Sequence, residues 1–504
     1  MLSFSAHAHK VPLDTMNLVG AYALGSDDVP LRAEIAFRDG LIQCSKRAAG
    51  PAGLAVLSPI RAFGAILLET VRLQERVAPY QLTVELARGR LMRINHKLED
   101  WGLLDYPGAE AILAQVVDAR EALIKALQAE TPAEASVHAE ESLALAVCAS
   151  EALAIFHAET FLSRRRQTGG LPRRLLGCGI HLDKPSDLAR QRLMAACDFV
   201  SIPLSWRDIE PNEQAFNWKP LDAWVDVLAK NRVPMRGSSL LSFAQRDIPD
   251  WLYVWEHDFD TIRDLAFEHV RRVINRYGQY IQVWDVISGI HGSTVFSFNF
   301  EQLMELTRMT AALAKQTFPR CTAIIEIVAP WGEYYARNQR TIPPLLYADM
   351  VMQSGVNFDA FGLKFLFGPG IDGMLVRDMF QISSLLDQFS KLSKPVHVTA
   401  CQVPSAATID QTLPGWENQP PLDGGAWHGG WSEAVQAEWL SKFTTIALSK
   451  PFVESVCWNN LADFAKQAVP NGGLLRSDLA PKASYQEWLK LRTELGASTR
   501  RAER

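Results

Sequence analysis

Eight apolar, strand-like runs recur between Gly177 and Asn460 with helical patterns between them, and no other feature limits the fold as strongly. They are GCGIHL at Gly177, DFVSIPL at Asp198, VPMRGSSL at Val233, IQVWDVIS at Ile281, TAIIEIV at Thr322, AFGLKFLF at Ala360, PVHVTACQ at Pro395 and VESVCWNN at Val453. Parallel strands covered on both faces read as such continuous apolar runs, and a helix must carry the chain back after each one. Eight β-then-α units in about 320 residues predict a (β/α)8 TIM barrel, an α/β fold, over residues 171–495. A doubly wound dinucleotide fold has little support. Gly177 and Gly179 form a G-x-G, but Leu182 stands at the third glycine position. No cofactor is expected.

The first 170 residues follow other patterns. Residues 1–106 read as an N-terminal β-rich unit with a following helix, and Asp39-Gly40 between LRAEIAF and LIQCSK marks a hairpin. Residues 107–170 read as a helical hairpin and linker. Ile112, Val116, Leu123 and Leu127 form one apolar stripe, and Leu145, Cys148, Ala152 and Ile155 form the other. Thr131-Pro132-Ala133-Glu134 between them is a capping box that starts the second helix. Gly169-Gly170 lies in the linker, and 496–504 is expected to be a charged tail.

A net charge of −5 gives no global field that would attract nucleic acid or an anionic membrane, so neither partner is expected. The seven cysteines are odd in number and scattered without a C-x-x-C pair, which signals neither a disulfide framework nor a zinc site. The opening residues lack the basic start and apolar centre of a signal peptide, so a cytoplasmic protein is the default expectation.

Residues at the C-terminal ends of barrel strands face the functional mouth, and there a resemblance emerges. Trp284-Asp285-Val286 resembles the opening of the W-D-V-V-N-E acid/base motif of glycoside hydrolase family 10, the xylanase family. Arg236-Gly237 is similar to that family's R-G-H segment, Gly362-Leu363 to its G-L-Q, and Trp458 to its strand-eight Trp. Gly473-Leu474-Leu475, Asp478, Pro481-Lys482 and Tyr485 are similar to its closing run. The resemblance spans roughly Gly177 to Leu489. It implies a hydrolase of O-glycosyl bonds acting on a β-1,4-glycan such as xylan. A retaining glycosidase needs two carboxyl groups, yet the family's acid/base position falls on Gly289 and its nucleophile position on Ala400. The strand-two Glu, Asn and Lys are also absent, leaving Trp206. Ser238 and Ser242 replace the strand-three His and Trp, and Lys364 and Leu366 replace the strand-six Gln and His. The expectation is a barrel that keeps the fold and binds carbohydrate without the family's hydrolysis.

Other groups were candidates for the mouth. Glu326 in IIEIVAP either lines it or pairs with Lys364, and Glu333 follows on the next loop. These two are the fallback carboxylates for a relocated acid pair. Asp285 and Asp359 read as strand-end hydrogen-bond acceptors. The loop Gly424 to Trp431 holds four glycines, two Trp and a His; Trp427 and Trp431 read as sugar platforms with His428 as a donor. Substrate-binding candidates are therefore Trp206, Arg236, Lys364, Trp427, His428 and Trp458. His138, His157, His291 and His397 lack a second ligand at fixed spacing, so no metal is expected. A third expectation gives the N-terminal region a protein partner, with the barrel as its platform.

Overall fold

A computed structural model describes residues 1–8, 11–182, 186–409, 411 and 419–501. Eight parallel strands close into a barrel: β1 (Leu176–Gly179), β2 (Phe199–Pro203), β3 (Met235–Ser238), β4 (Val283–Ser288), β5 (Thr322–Ile327), β6 (Ala360–Leu366), β7 (Val396–Gln402) and β8 (Val453–Trp458). Seven lie within the apolar runs and β1 begins one residue before its run, because a strand hydrogen-bonded on both sides and covered by helices has no polar face to show. The barrel closes through β1 beside β8, with Gly177 opposite Cys457. A side chain at Gly177 would meet the Phe199 ring at 2.2 Å, so the glycine permits a close approach of β1 to β2. Register shifts between Asp285 and Ile287, and between Leu363 and Lys364, bend β4 and β6 near the mouth.

Among the described residues three small sheets flank the start of the barrel, the smallest pairing His7–Ala8 with Val11–Pro12. Ala33–Arg38 pairs with Leu41–Lys46 about the Asp39-Gly40 turn, with Asp39 at φ 52° and Gly40 at φ 75°. Another sheet is built on Gly53–Ile60 and Gly64–Glu69, and its edge is completed from far along the chain by Ala426–Trp427. Part of the barrel's own glycine-rich loop is thus a strand of the N-terminal sheet.

Three helices follow: α1 (Leu82–Asp100), α2 (Glu110–Gln128) and α3 (Pro132–Gln167). The chain stops at Gln128 and restarts at Pro132, where the Thr131 hydroxyl accepts from Glu134 N at 3.2 Å. The face of α3 that is buried is not the expected one. Ala139, Leu143, Ala146, Val147, Leu153 and Ala154 are buried, whereas Cys148 is exposed and Leu145, Ala152 and Ile155 are only half-buried. Small residues won that face because α3 packs against α1, α2, Met379–Ser390 and Glu433–Ser449 at once, and alanines let helices approach closely. α3 is long and apolar enough to cross a membrane by length and composition, but 56% of its most apolar window is buried within the protein. The last helix, Ala483–Arg501, takes in most of the stretch expected as a tail, and 502–504 lie outside the described residues.

Candidate functional site: the charged barrel lumen

Four charged side chains converge inside the barrel from adjacent strands: Arg236 on β3, Asp285 on β4, Glu326 on β5 and Lys364 on β6. Strand register sets Arg236 beside Val283, Asp285 beside Ile324, Ser288 beside Glu326 and Lys364 beside Ala400. Glu326 Oε2 lies 3.1 Å from Lys364 Nζ and also accepts from the Ser288 hydroxyl. Of the two alternatives weighed for Glu326, the pairing with Lys364 is present, and the carboxylate is buried inside the barrel rather than exposed at its mouth. Arg236 Nε lies 3.3 Å from Asp285 Oδ2, while Nη2 donates to the Thr399 carbonyl and, at 3.3 Å, to Ser201 Oγ.

The network is incompletely satisfied. Arg236 and Asp285 are close enough to pair, but the angle makes no hydrogen bond. Both Asp285 oxygens, Glu326 Oε1 and Arg236 Nε and Nη1 lack hydrogen-bond partners. Asp285 is therefore not the satisfied strand-end acceptor expected from sequence, whereas Asp359 is one: its Oδ2 accepts from Ala323 N at 2.7 Å and pairs with Lys315. Burial pushes the Asp285 carboxyl up to about 7, against the pull of Arg236 and with the help of the Glu326 charge. Burial pushes Glu326 upward too, but Lys364, the Ser288 and Thr399 hydroxyls and Arg236 outweigh it and hold that carboxyl below its usual range. Two neighbouring acids are thus driven apart, one kept ionised and one able to hold a proton near neutrality. Among the four, Lys364 has the most exposed side chain, at 11%.

The two strand ends expected from the sequence resemblance to stand at the catalytic positions are closed. Gly289 has φ 61°, and a Cβ there would stand 2.6 Å from Val328 Cγ2. Ala400 is buried in a small apolar cluster with Leu366 and Val469, covered by Met374 and Ala468.

The expected sugar platforms are corrected by their burial. Trp206 is 2% exposed, stacks on His269 and donates to Glu210 Oε2 at 3.0 Å. Trp458 is fully buried and donates to the Gly472 carbonyl at 2.9 Å. Trp427 is also fully buried and donates to Glu151 Oε2 of α3 at 2.9 Å; the neighbouring His428 Nε2 meets Glu151 Oε1 at 2.6 Å. Trp431 donates to the Gly425 carbonyl at 3.1 Å. An indole whose faces are packed and whose N–H is used cannot stack on a sugar ring. The glycine-rich loop is a clasp to the N-terminal module, and Gly424 and Gly425 serve close packing: a side chain at Gly425 would meet the Ala65 carbonyl at 2.4 Å.

Glu333 is corrected as well. It lies in the short helix Glu333–Arg337, away from the lumen, fully buried against Arg377 at 2.8 Å, and Arg377 also donates to the Tyr22 hydroxyl at 3.2 Å. Of the histidines, His291 Nδ1 meets the Tyr334 hydroxyl at 2.6 Å, His397 Nδ1 meets Ser455 Oγ at 2.8 Å, and His157 stacks between Trp101 and Phe161. Sequence reasoning missed the role of Glu151. Its signal was a lone carboxylate inside the apolar stretch LALAVCASEALAIF, where an acid must find donors from elsewhere.

The fold is a (β/α)8 barrel with an added N-terminal module. Residues 202–298 match the model described as glycosyl hydrolase family 10. Endo-1,4-beta-xylanase 3 of Hypocrea jecorina is 31% identical over 100 residues, which are 19% of this chain and 28% of that protein. Endo-1,4-beta-xylanase B of Thermotoga neapolitana is 25% identical over 85 residues, 17% of this chain and 24% of that one. The chain thus matches about a quarter of the length of these relatives. A solved structure, native xylanase 10B of Thermotoga maritima, aligns over 66% of this chain and 98% of its own at 17% identity, with a TM-score of 0.47. Residues 202–298 are thus similar to glycoside hydrolase family 10.

Proposed function

We propose that the barrel mouth binds a carbohydrate of the β-1,4-glycan class, with xylan the first candidate, and does not cleave it by the family's two-carboxylate mechanism. The observation that carries this reading is the backbone at Gly289. Its left-handed conformation and its contact with Val328 leave no space for a side chain at the matched acid/base position, so more than a carboxylate has been lost there. Ala400 under its apolar cover supports the same reading at the nucleophile position. Support for a glycan ligand comes from the relatives, which are named endo-1,4-beta-xylanases. With the tryptophans buried, binding is expected to be polar and weak, with Lys364 as its most accessible charge.

A relocated-acid enzyme is favoured by one observation, the separation of Asp285 and Glu326 into a protonated and an ionised acid. It is disfavoured by access. Both carboxyls are buried at 1% exposure or less, and a general acid must come within about 3 Å of the glycosidic oxygen. Purified protein is expected to release no reducing sugar from xylan above a buffer control. Robust hydrolysis abolished by Glu326→Gln would replace the non-hydrolytic reading with the relocated-acid enzyme. Calorimetric titration with xylohexaose is expected to show weak binding that Lys364→Met reduces. Absence of binding would leave the scaffold reading, in which the N-terminal module recruits a protein partner.

A further inference from the structure

We propose that the opposite, N-terminal face of the barrel carries a second site, one that takes a small anionic molecule with an apolar body, such as an aromatic acid. A cavity of about 640 Å³ opens there, within the roughly 300–1,000 Å³ typical of small-molecule sites. Its walls are the first residues of three strands, Phe199, Met235 and Val283, extended by Val233 and Pro234. That part of the lining suits an apolar body.

The charge at the cavity is mostly of one sign. Arg173 and Arg174, from the linker into β1, and Arg232 stand around it, against Glu454 as its sole lining acid. The Arg174 and Arg232 side chains make no hydrogen bond or ion pair among the described residues, and both residues are exposed. Arg232 also occupies a costly conformation. It follows the helix Lys219–Lys230 at φ 54°, the left-handed position that ends many helices and that glycine fills without strain. At the inner wall, Arg236 is 2% exposed and leaves Nε and Nη1 without hydrogen-bond partners. Buried cationic nitrogens behind an apolar wall, with the unpaired Arg174 and Arg232 guanidinium groups at the rim, complement a carboxylate or sulfonate on a hydrophobic frame. The site lies at the end of the barrel away from the proposed glycan mouth, so it stands or falls independently of that reading.

The test uses the full-length protein and two probes of similar ring system. One is anionic, 1-anilinonaphthalene-8-sulfonate, and one is neutral, N-phenyl-1-naphthylamine. The anionic probe is expected to bind at one saturable site and more tightly than the neutral one. Arg174→Ala combined with Arg232→Gly keeps a residue that tolerates the helix-end backbone, and should weaken the anionic probe by about tenfold while leaving the neutral one unchanged. Ala229→Trp, which puts an indole at the cavity wall without removing charge, should abolish both. Equal affinity for the two probes, undiminished anionic binding in the double variant, or no saturable site would each overturn the proposal. The double variant also excludes binding in the apolar cleft beside Cys148, where neither arginine lies.

Discussion

Glu151 and Glu326 are both carboxylates in the interior, and their surroundings differ in one respect: how fully donors surround them. Glu151 receives Trp427 Nε1 at 2.9 Å, Met379 N at 3.3 Å and His428 Nε2 at 2.6 Å, groups from two separate segments of the barrel. Glu326 has Lys364 and the Ser288 hydroxyl, but its Oε1 is unpartnered, and Asp285 in the same lumen has no hydrogen bond at either oxygen. A carboxylate with its lone pairs filled is committed to holding elements together. A cluster with unfilled ones retains unbalanced charge at a cost in stability, the condition under which a buried polar group calls for a role beyond packing.

The largest expected effect breaks the clasp. Glu151→Ala strips the acceptor from the buried Trp427 N–H and the Met379 amide, and should cost about 3 kcal/mol or more in denaturant unfolding. It should also expose the 424–431 loop to limited proteolysis. A change within about 0.5 kcal/mol, the range of ordinary surface substitutions, would remove the distinction between the two carboxylates.

A smaller effect is expected at the mouth. Gly289→Ala must adopt φ 61° and displace Val328, so it should cost about 2–3 kcal/mol. Gly429→Ala, at φ 85° with open space around it, should cost only about 1 kcal/mol for its backbone. Equal losses in the two variants would show that Val328 yields, and that the acid/base position could again accept a side chain.

The smallest effect sharpens the account of the lumen through pH. Asp285 is raised in the folded protein to about 7 from the usual carboxylate value near 4, so the folded state binds more protons between those limits. Its contribution to stability is full below about pH 4 and is lost as pH rises through 7. Asp285→Asn removes this titration, so its melting temperature relative to wild type should be a few degrees more favourable at pH 8 than at pH 5. Buried His157, His269, His291 and His397 act in the opposite sense. Burial lowers each to about 3, so their contribution is full above about 6.5 and is lost as pH falls. They act equally in both proteins and cancel in the difference. A pH-independent difference would show that Asp285 stays ionised beside Arg236.

The eight barrel strands were legible because strand burial is written locally, as runs such as TAIIEIV and AFGLKFLF that no half-exposed strand would carry. Asp39-Gly40 and Thr131-Pro132 were legible for a similar reason, since turn and cap chemistry lies within four residues. The pairing of Glu326 with Lys364 could be anticipated because adjacent barrel strands place their interior charges side by side. The tryptophans were misread because a Trp among glycines has the same local signature whether it faces solvent or another module.

The sequence by itself determined the barrel, its order and the absence of carboxylates at Gly289 and Ala400, since periodicity and residue identity are properties of short stretches. Only the tertiary structure decided which faces were free. Trp427 is buried because Glu151, 276 residues away, accepts its N–H. A side chain at Gly289 would have to displace Val328 on the neighbouring loop. Both outcomes depend on contacts between distant segments, and the energy of such a contact is carried by neither partner's local sequence.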